Sequence, residues 1–152
     1  MSTKKDMVVV SACLAGCPTR YDAKGTPCDA VLDLIREGRA IPLCPEQLGG
    51  LPAPRPCCER LGDRVMNAEG EDVTDAFERG AREALRIAQL AGCRTAVLKQ
   101  RSPTCGNGII YDGTFTSKRI PGDGVFAEMC RKAGMTVMSE DDLTAQAHTC
   151  AE

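Results

Sequence analysis

The apolar positions of the chain fall into short runs separated by polar stretches rich in glycine and proline, and the spacing inside each run sets the element it predicts. Met7 to Ser11 holds three consecutive valines, which suits a strand covered on both faces. Asp29 to Glu37, with Val31, Leu32, Leu34 and Ile35, predicts a short helix stopped at Gly38, and Ala40 to Leu43 a second strand. Thr74 is the expected N-cap of the longest helix, in which Phe77, Ala81, Ala84, Leu85 and Ala88 fall at helical spacing and Gly92 sits just past the end. Thr95 to Lys99 predicts a third strand, Val125 to Ala133 a helix stopped by Gly134, and Thr136 to Met138 a last strand. Asp112 and Gly113 are the expected turn of a hairpin pairing Ile109–Tyr111 with Thr114–Thr116. Asp63 to Gly70 predicts a small hairpin arm, and the tail from Asp141 onward a ragged end.

This alternation of strands and helices predicts an α/β fold. It is expected as one domain over residues 1–152, with a core over about 7–140 and a mainly parallel sheet covered by helices in three Rossmann-like layers. Two long segments stand outside that frame. The stretch CLAGCPTRYDAKGTP after the first strand is full of chain breakers, and PEQLGGLPAPRPCCERLG, residues 45–62, cannot sustain a helix or a central strand. A loop of that length in a compact domain is usually functional.

Three of the apolar runs end near cysteines: Val8–Val10 leads to Cys13, Ile41–Leu43 to Cys44, and Thr95–Leu98 to a polar loop carrying Ser102, Pro103 and Cys105. If those runs are parallel strands of one sheet, their carboxyl ends share the edge where open α/β sheets bind ligands, and the three thiols converge. The only histidine, His148, is in the tail, so three thiolates leave a tetrahedral zinc site one ligand short. The same three suit a [4Fe-4S] cubane with one iron open to a soft donor such as sulfur. Glu46, two residues beyond Cys44, and Ser102, three before Cys105, can both face that position, the carboxylate to move protons and the hydroxyl to bind a heteroatom. The plainer readings are a surface acid and a turn residue before Pro103.

The remaining cysteines read mostly as structure. Cys93 and Cys130 are expected as small buried hydrophobes, Cys28 and Cys150 flank a helix and the tail, and Cys17, Cys57 and Cys58 are the alternative sources of a ligand. The glycine-rich GNG at 106–108 and PGDG at 121–124 match no phosphate-binding motif and read as turns. Arg20, Arg55, Lys99 and Arg101 cluster near the three loops, either to hold an anionic or carbonyl-bearing substrate or as solvated surface.

Charge narrows the partners. With 19 basic against 21 acidic residues, no broad field invites nucleic acid or an anionic membrane, so a small or neutral ligand is expected. No run approaches the roughly 18 apolar residues of a membrane span, and the start of the chain lacks a convincing signal segment, which together predict a cytoplasmic protein. Its 10 cysteines are then expected as reduced thiols or metal ligands rather than a disulfide framework.

Taken together, SACLAG with RYD (Ser11 to Asp22), CPEQLGGLPAPRP (Cys44 to Pro56), DVTDAFERGA (Asp72 to Ala81) and RSPTCGNGIIYDGTF (Arg101 to Phe115) resemble the bacterial family to which the 2-thiouracil desulfurases belong, from about Val8 to Glu140. The resemblance implies a [4Fe-4S] cluster on Cys13, Cys44 and Cys105, a thiolated pyrimidine such as 2-thiouracil as substrate, and replacement of its sulfur by water's oxygen without net redox change. It implies acid/base and substrate-orienting roles for Glu46 and Ser102. The chain departs from the family pattern at Thr19, where many members have cysteine before the RY pair, and at Cys57 and Cys58, where smaller or apolar residues are commoner. The alternatives are a non-catalytic carrier of metal or sulfide, and a zinc-stabilised domain with a fourth ligand from Cys17, Cys57 or Cys58.

Overall fold

The computed structural model describes residues 6–150; the charged start of the chain, residues 1–5, lies outside them. The chain runs β1 (Val8–Ser11), a 3-10 turn (Ala12–Ala15), α1 (Asp29–Arg36), β2 (Ala40–Leu43), α2 (Pro45–Leu48), β3 (Cys58–Leu61), β4 (Arg64–Asn67), α3 (Thr74–Leu90), β5 (Thr95–Leu98), β6 (Ile109–Tyr111), β7 (Arg119–Pro121), α4 (Val125–Lys132), β8 (Thr136–Ser139) and α5 (Glu140–Cys150). β2, β1, β5 and β8 form a parallel sheet in that order. Val8 pairs with Ala40 on one side and Thr95 on the other, and Thr95 pairs with Thr136.

The alternation of side chains along β1 splits the core. Val9 faces Phe77, Ala81, Ala84 and Ala88 of α3 and Phe126 of α4, whereas Val8 and Val10 face Leu14, Val31 and Ile35, joined by Leu143 of α5. Helices therefore cover both faces of the α/β sheet, as predicted. The chain leaves β1 toward β2 and leaves β5 toward β8, in opposite directions, which makes the β1–β5 boundary the topological switch point.

Several expectations are corrected. Residues 45–62 contain one helical turn, α2, because Pro45 occupies its first position, where no N–H is needed. They also contain β3, which pairs with β4 across Gly62 and Asp63, so the arm expected at 63–70 begins five residues earlier. The α3 N-cap is Val73, not Thr74; the Thr74 hydroxyl accepts the Val65 N–H at 2.8 Å and donates to Asp72 at 2.6 Å. β6 pairs with 119–121 rather than 114–116, because Asp112 Oδ1 accepts the Thr114 N–H and Glu59 Oε1 the Gly113 and Phe115 N–H groups, removing them from any ladder. The tail is not ragged from Asp141: Ser139 and Asp142 cap one another reciprocally at 3.1 and 3.0 Å and start α5.

α2 carries Glu46 and is placed by a contact that only glycine permits. A Cβ on Gly80 would lie 1.8 Å from Pro45 O, and one on Gly49 would lie 2.0 Å from Ala76 O, so the backbones of α2 and α3 touch. Gly80→Ala is therefore expected to destabilise the protein by about 1–3 kcal/mol despite alanine's better helix propensity. Urea unfolding checks this; a more stable variant would contradict the contact.

Cys130 is fully buried on α4, and burial pushes its thiol up to about 12, with Cys93 adding to the shift, from an ordinary 9.0. The unfolded chain thus loses that proton first, so the stability contributed is complete below about pH 9 and is lost as pH rises toward 12. Urea midpoints measured across that window are expected to fall more steeply in the wild type than in Cys130→Ala.

Candidate active site

The carboxyl ends of the strands open into a cavity of about 510 Å³ at the switch point, whose walls include Cys13, Cys44, Cys105, Glu46 and Ser102. All five residues singled out in the sequence are therefore brought together. Arg20, Arg55, Lys99, Arg101, Cys57 and Cys58 also line it, whereas Cys17 does not.

Each thiol arrives on a different device. Cys13 sits in the 3-10 turn directly after β1, and Cys44 is the N-cap of α2 directly after β2. Cys105 follows β5 by a longer path, in a turn locked onto the start of α4: Val125 N donates to Pro103 O at 2.9 Å, and Phe126 N and Ala127 N donate to Thr104 O at 2.8 and 3.2 Å. Those carbonyls satisfy the helix's orphan N–H groups, so α4 and the cysteine turn fix each other.

Burial raises all three thiols above their ordinary range. For Cys13 the Thr26 hydroxyl and Lys99 oppose this, while the charge of Cys44 reinforces it. For Cys44 the Gln47 N–H opposes it and Glu46 reinforces it. Cys105 is raised well above the usual value, with Ser11 opposing and Cys13, Cys44 and Glu46 reinforcing. Cys13 thus senses the charge of Cys44, and Cys105 senses both, and all three are free cysteines. Thr26 Oγ1 is buried without a partner in full hydrogen-bond geometry, which leaves its proton available beside Cys13.

The donor set, three thiols in one cavity, is of the kind that holds iron–sulfur clusters. Among the described residues no three His, Cys, Asp or Glu side chains stand close enough to share one metal ion. A tetrahedral zinc needs its sulfurs at about 2.3 Å from one point, whereas a cubane meets each thiolate through a different iron and so spreads them around a wider void.

Beside the thiols, both oxygens of Glu46 are fixed. Arg55 Nε donates to Oε1 at 2.9 Å and the Thr104 hydroxyl donates to Oε2 at 2.9 Å. Side-chain exposure is 13% for Glu46 and 5% for Arg55, so this is a buried pair and not the surface acid of the plainer reading. Ser102 Oγ accepts the N–H groups of Thr104 and Cys105, both at 3.1 Å. It is a turn residue and a cavity residue at once, with its own proton left to donate.

The sequence did not point to Thr104 as a partner of Glu46, nor to Ser11 beside Cys105, because a buried hydroxyl has no sequence signature; their only signal was adjacency to Cys105 and to the end of β1. Lys99 is engaged by Glu140 at 2.8 Å, and Arg20 lies 3.6 Å from Asp22 and over the ring of Tyr21. Cys93 and Cys130 are buried in the core. The two glycine-rich segments are turns that bind each other, with Gly108 N on Asp123 and Gly124 N on Gly106 O.

Comparison with known proteins places the chain in a family. The sequence pattern of a family described as 2-thiouracil desulfurase matches residues 8–142. YbbK of Bacillus subtilis (strain 168), described as an uncharacterized protein, is 37% identical over 147 residues, covering 90% of this chain and 97% of YbbK. The solved structure of TudS, described as a [4Fe-4S]-dependent thiouracil desulfidase, matches with a TM-score of 0.89 at 43% identity, over 97% of this chain and 99% of TudS. With nearly its full length matched in sequence and in fold, the chain belongs to the 2-thiouracil desulfurase family.

Proposed function

We propose that this protein removes sulfur from a thiolated pyrimidine such as 2-thiouracil, giving the carbonyl product and sulfide, with a [4Fe-4S] cluster held by Cys13, Cys44 and Cys105. The observation that carries this is one cavity that gathers Cys13, Cys44 and Cys105 from the ends of three strands beside a carboxylate with both oxygens fixed. Family membership and the likeness to TudS support the reaction and the cofactor. Bound by three thiolates, such a cluster supplies one iron with an open position for a soft sulfur donor.

The net change is hydrolytic. Water's oxygen becomes the carbonyl oxygen, the carbon–sulfur double bond breaks, and water's two protons leave with the sulfide, so no oxidant or reductant is consumed. Glu46 is the proton carrier: each of its oxygens keeps a lone pair beyond the bonds to Arg55 and Thr104, so it takes a proton from water and passes it on without swinging. Ser102 directs its free proton to the exocyclic oxygen of the base. The near balance of charge supports a small neutral substrate over nucleic acid. Among the described residues no helix is long and apolar enough to cross a membrane, and free cysteines accord with the reducing cytoplasm.

The test is sulfide release from 2-thiouracil by the anaerobically reconstituted protein. Glu46→Gln is expected to keep the cluster's absorption and lose turnover by about 10²–10⁴-fold. Sulfide release unchanged in Glu46→Gln would remove the carboxylate from the mechanism, and cluster binding without release from any thiolated pyrimidine would favour a carrier.

A further inference from the structure

The chain has two tyrosines, three phenylalanines and no tryptophan. Phe77 and Phe126 are buried in the core, and the other aromatics, Tyr21, Tyr111 and Phe115, all line the cavity. Phe115 is 38% exposed there, at a cost in hydration that a core position would have avoided.

Phe115 is also held in a strained conformation. It sits in the 112–118 loop between β6 and β7 with φ of 59°, a left-handed backbone that bulky residues rarely adopt, and Ser117 follows at 65°. Such strain persists only where surrounding bonds over-determine it. The determinant here is Glu59 on β3, whose Oε1 accepts the N–H of Gly113 at 3.0 Å and of Phe115 at 3.1 Å. Gly113, with φ of 94°, lets the loop lie against β3, since a Cβ there would be 2.9 Å from Leu61 Cβ. Glu59 itself lines the cavity, so the anchor and the ring it presents belong to one wall.

We propose that Phe115 determines specificity by giving the planar ring of the substrate a face to stack on, and that Glu59 is the positioning residue that holds that face in place. The substrate's identity as a thiolated pyrimidine rests on the desulfurase reading above; the preference for a flat aromatic ring over an open-chain thioamide is what this inference adds. A base stacks on any aromatic face without needing hydrogen bonds from it, so removing the ring is expected to weaken binding without altering proton transfer.

Calorimetric binding of uracil to the reconstituted protein tests this apart from turnover. Phe115→Leu is expected to weaken uracil roughly tenfold, Phe115→Tyr to bind like the wild type, and Glu59→Ala to resemble Phe115→Leu. Glu59→Gln, whose amide oxygen still accepts both N–H groups, is expected to restore binding. In sulfide-release assays the KM for 2-thiouracil is expected to rise in Phe115→Leu while that for thioacetamide, which has no ring, stays the same. Equal uracil affinity in wild type and Phe115→Leu, or no uracil binding by the wild type, would overturn the inference. A wild type that binds uracil through Phe115 yet releases no sulfide would overturn the desulfurase reading and leave the stacking face standing.

Discussion

The guanidinium of Arg55 donates to Glu46 Oε1, to Pro52 O at 3.0 Å and to Thr19 O at 2.9 Å, while its backbone N–H goes to Tyr21 O at 2.8 Å. One nearly buried side chain therefore joins the loop after β1, the turn of α2 and the proline-rich segment that follows it. A buried ion pair adds little net stability, because desolvating both charges offsets their attraction; what it provides is a fixed geometry. Through Glu46 the same network reaches Thr104, and through the Thr104 turn it reaches Cys105 and the start of α4. Glu46 and the Cys105 turn are held by one connected set of hydrogen bonds, and the Cys44 thiol joins it at Thr19 O.

The sheet supplies the other half of the arrangement. Parallel strands bring the ends of β1, β2 and β5 to one edge, and the backbone contact at Gly49 and Gly80 seats α2 against α3. Burial raises all three thiols above their ordinary range, so any metal that takes them as thiolates has to displace their protons. Because the thiolate is the nucleophile in disulfide exchange, the same burial disfavours disulfide formation among them.

Much of this was legible in the sequence. Runs such as Val8–Val10 and the alanine-spaced face of α3 announce a covered parallel sheet, and once the sheet is inferred Cys13, Cys44 and Cys105 follow as its edge residues. Two of the differences come from side chains that bond to backbone. The sequence predicts a strand at Thr114–Thr116, but Asp112 and the sequence-distant Glu59 take up the N–H groups there, and it predicts a ragged tail where Ser139 and Asp142 form a capping pair. Arg55 and Thr104 were ordinary residues in the sequence, since burial of a charge and its partner depends on three loops meeting. The hydrophobic period determines where strands and helices lie; the polar contacts that shape the site are long-range and leave no period behind.

Whether Cys13, Cys44 and Cys105 hold the cluster is decided by the iron and sulfide content, with the absorption spectrum, of anaerobically reconstituted single cysteine-to-serine variants at these three positions and at Cys17, Cys57 and Cys58. Cys13→Ser, Cys44→Ser and Cys105→Ser are each expected to lose the cluster, whereas Cys17→Ser, Cys57→Ser and Cys58→Ser are expected to retain it. Retention of the full cluster in Cys13→Ser, Cys44→Ser or Cys105→Ser, or stoichiometric zinc in place of iron, would contradict that assignment.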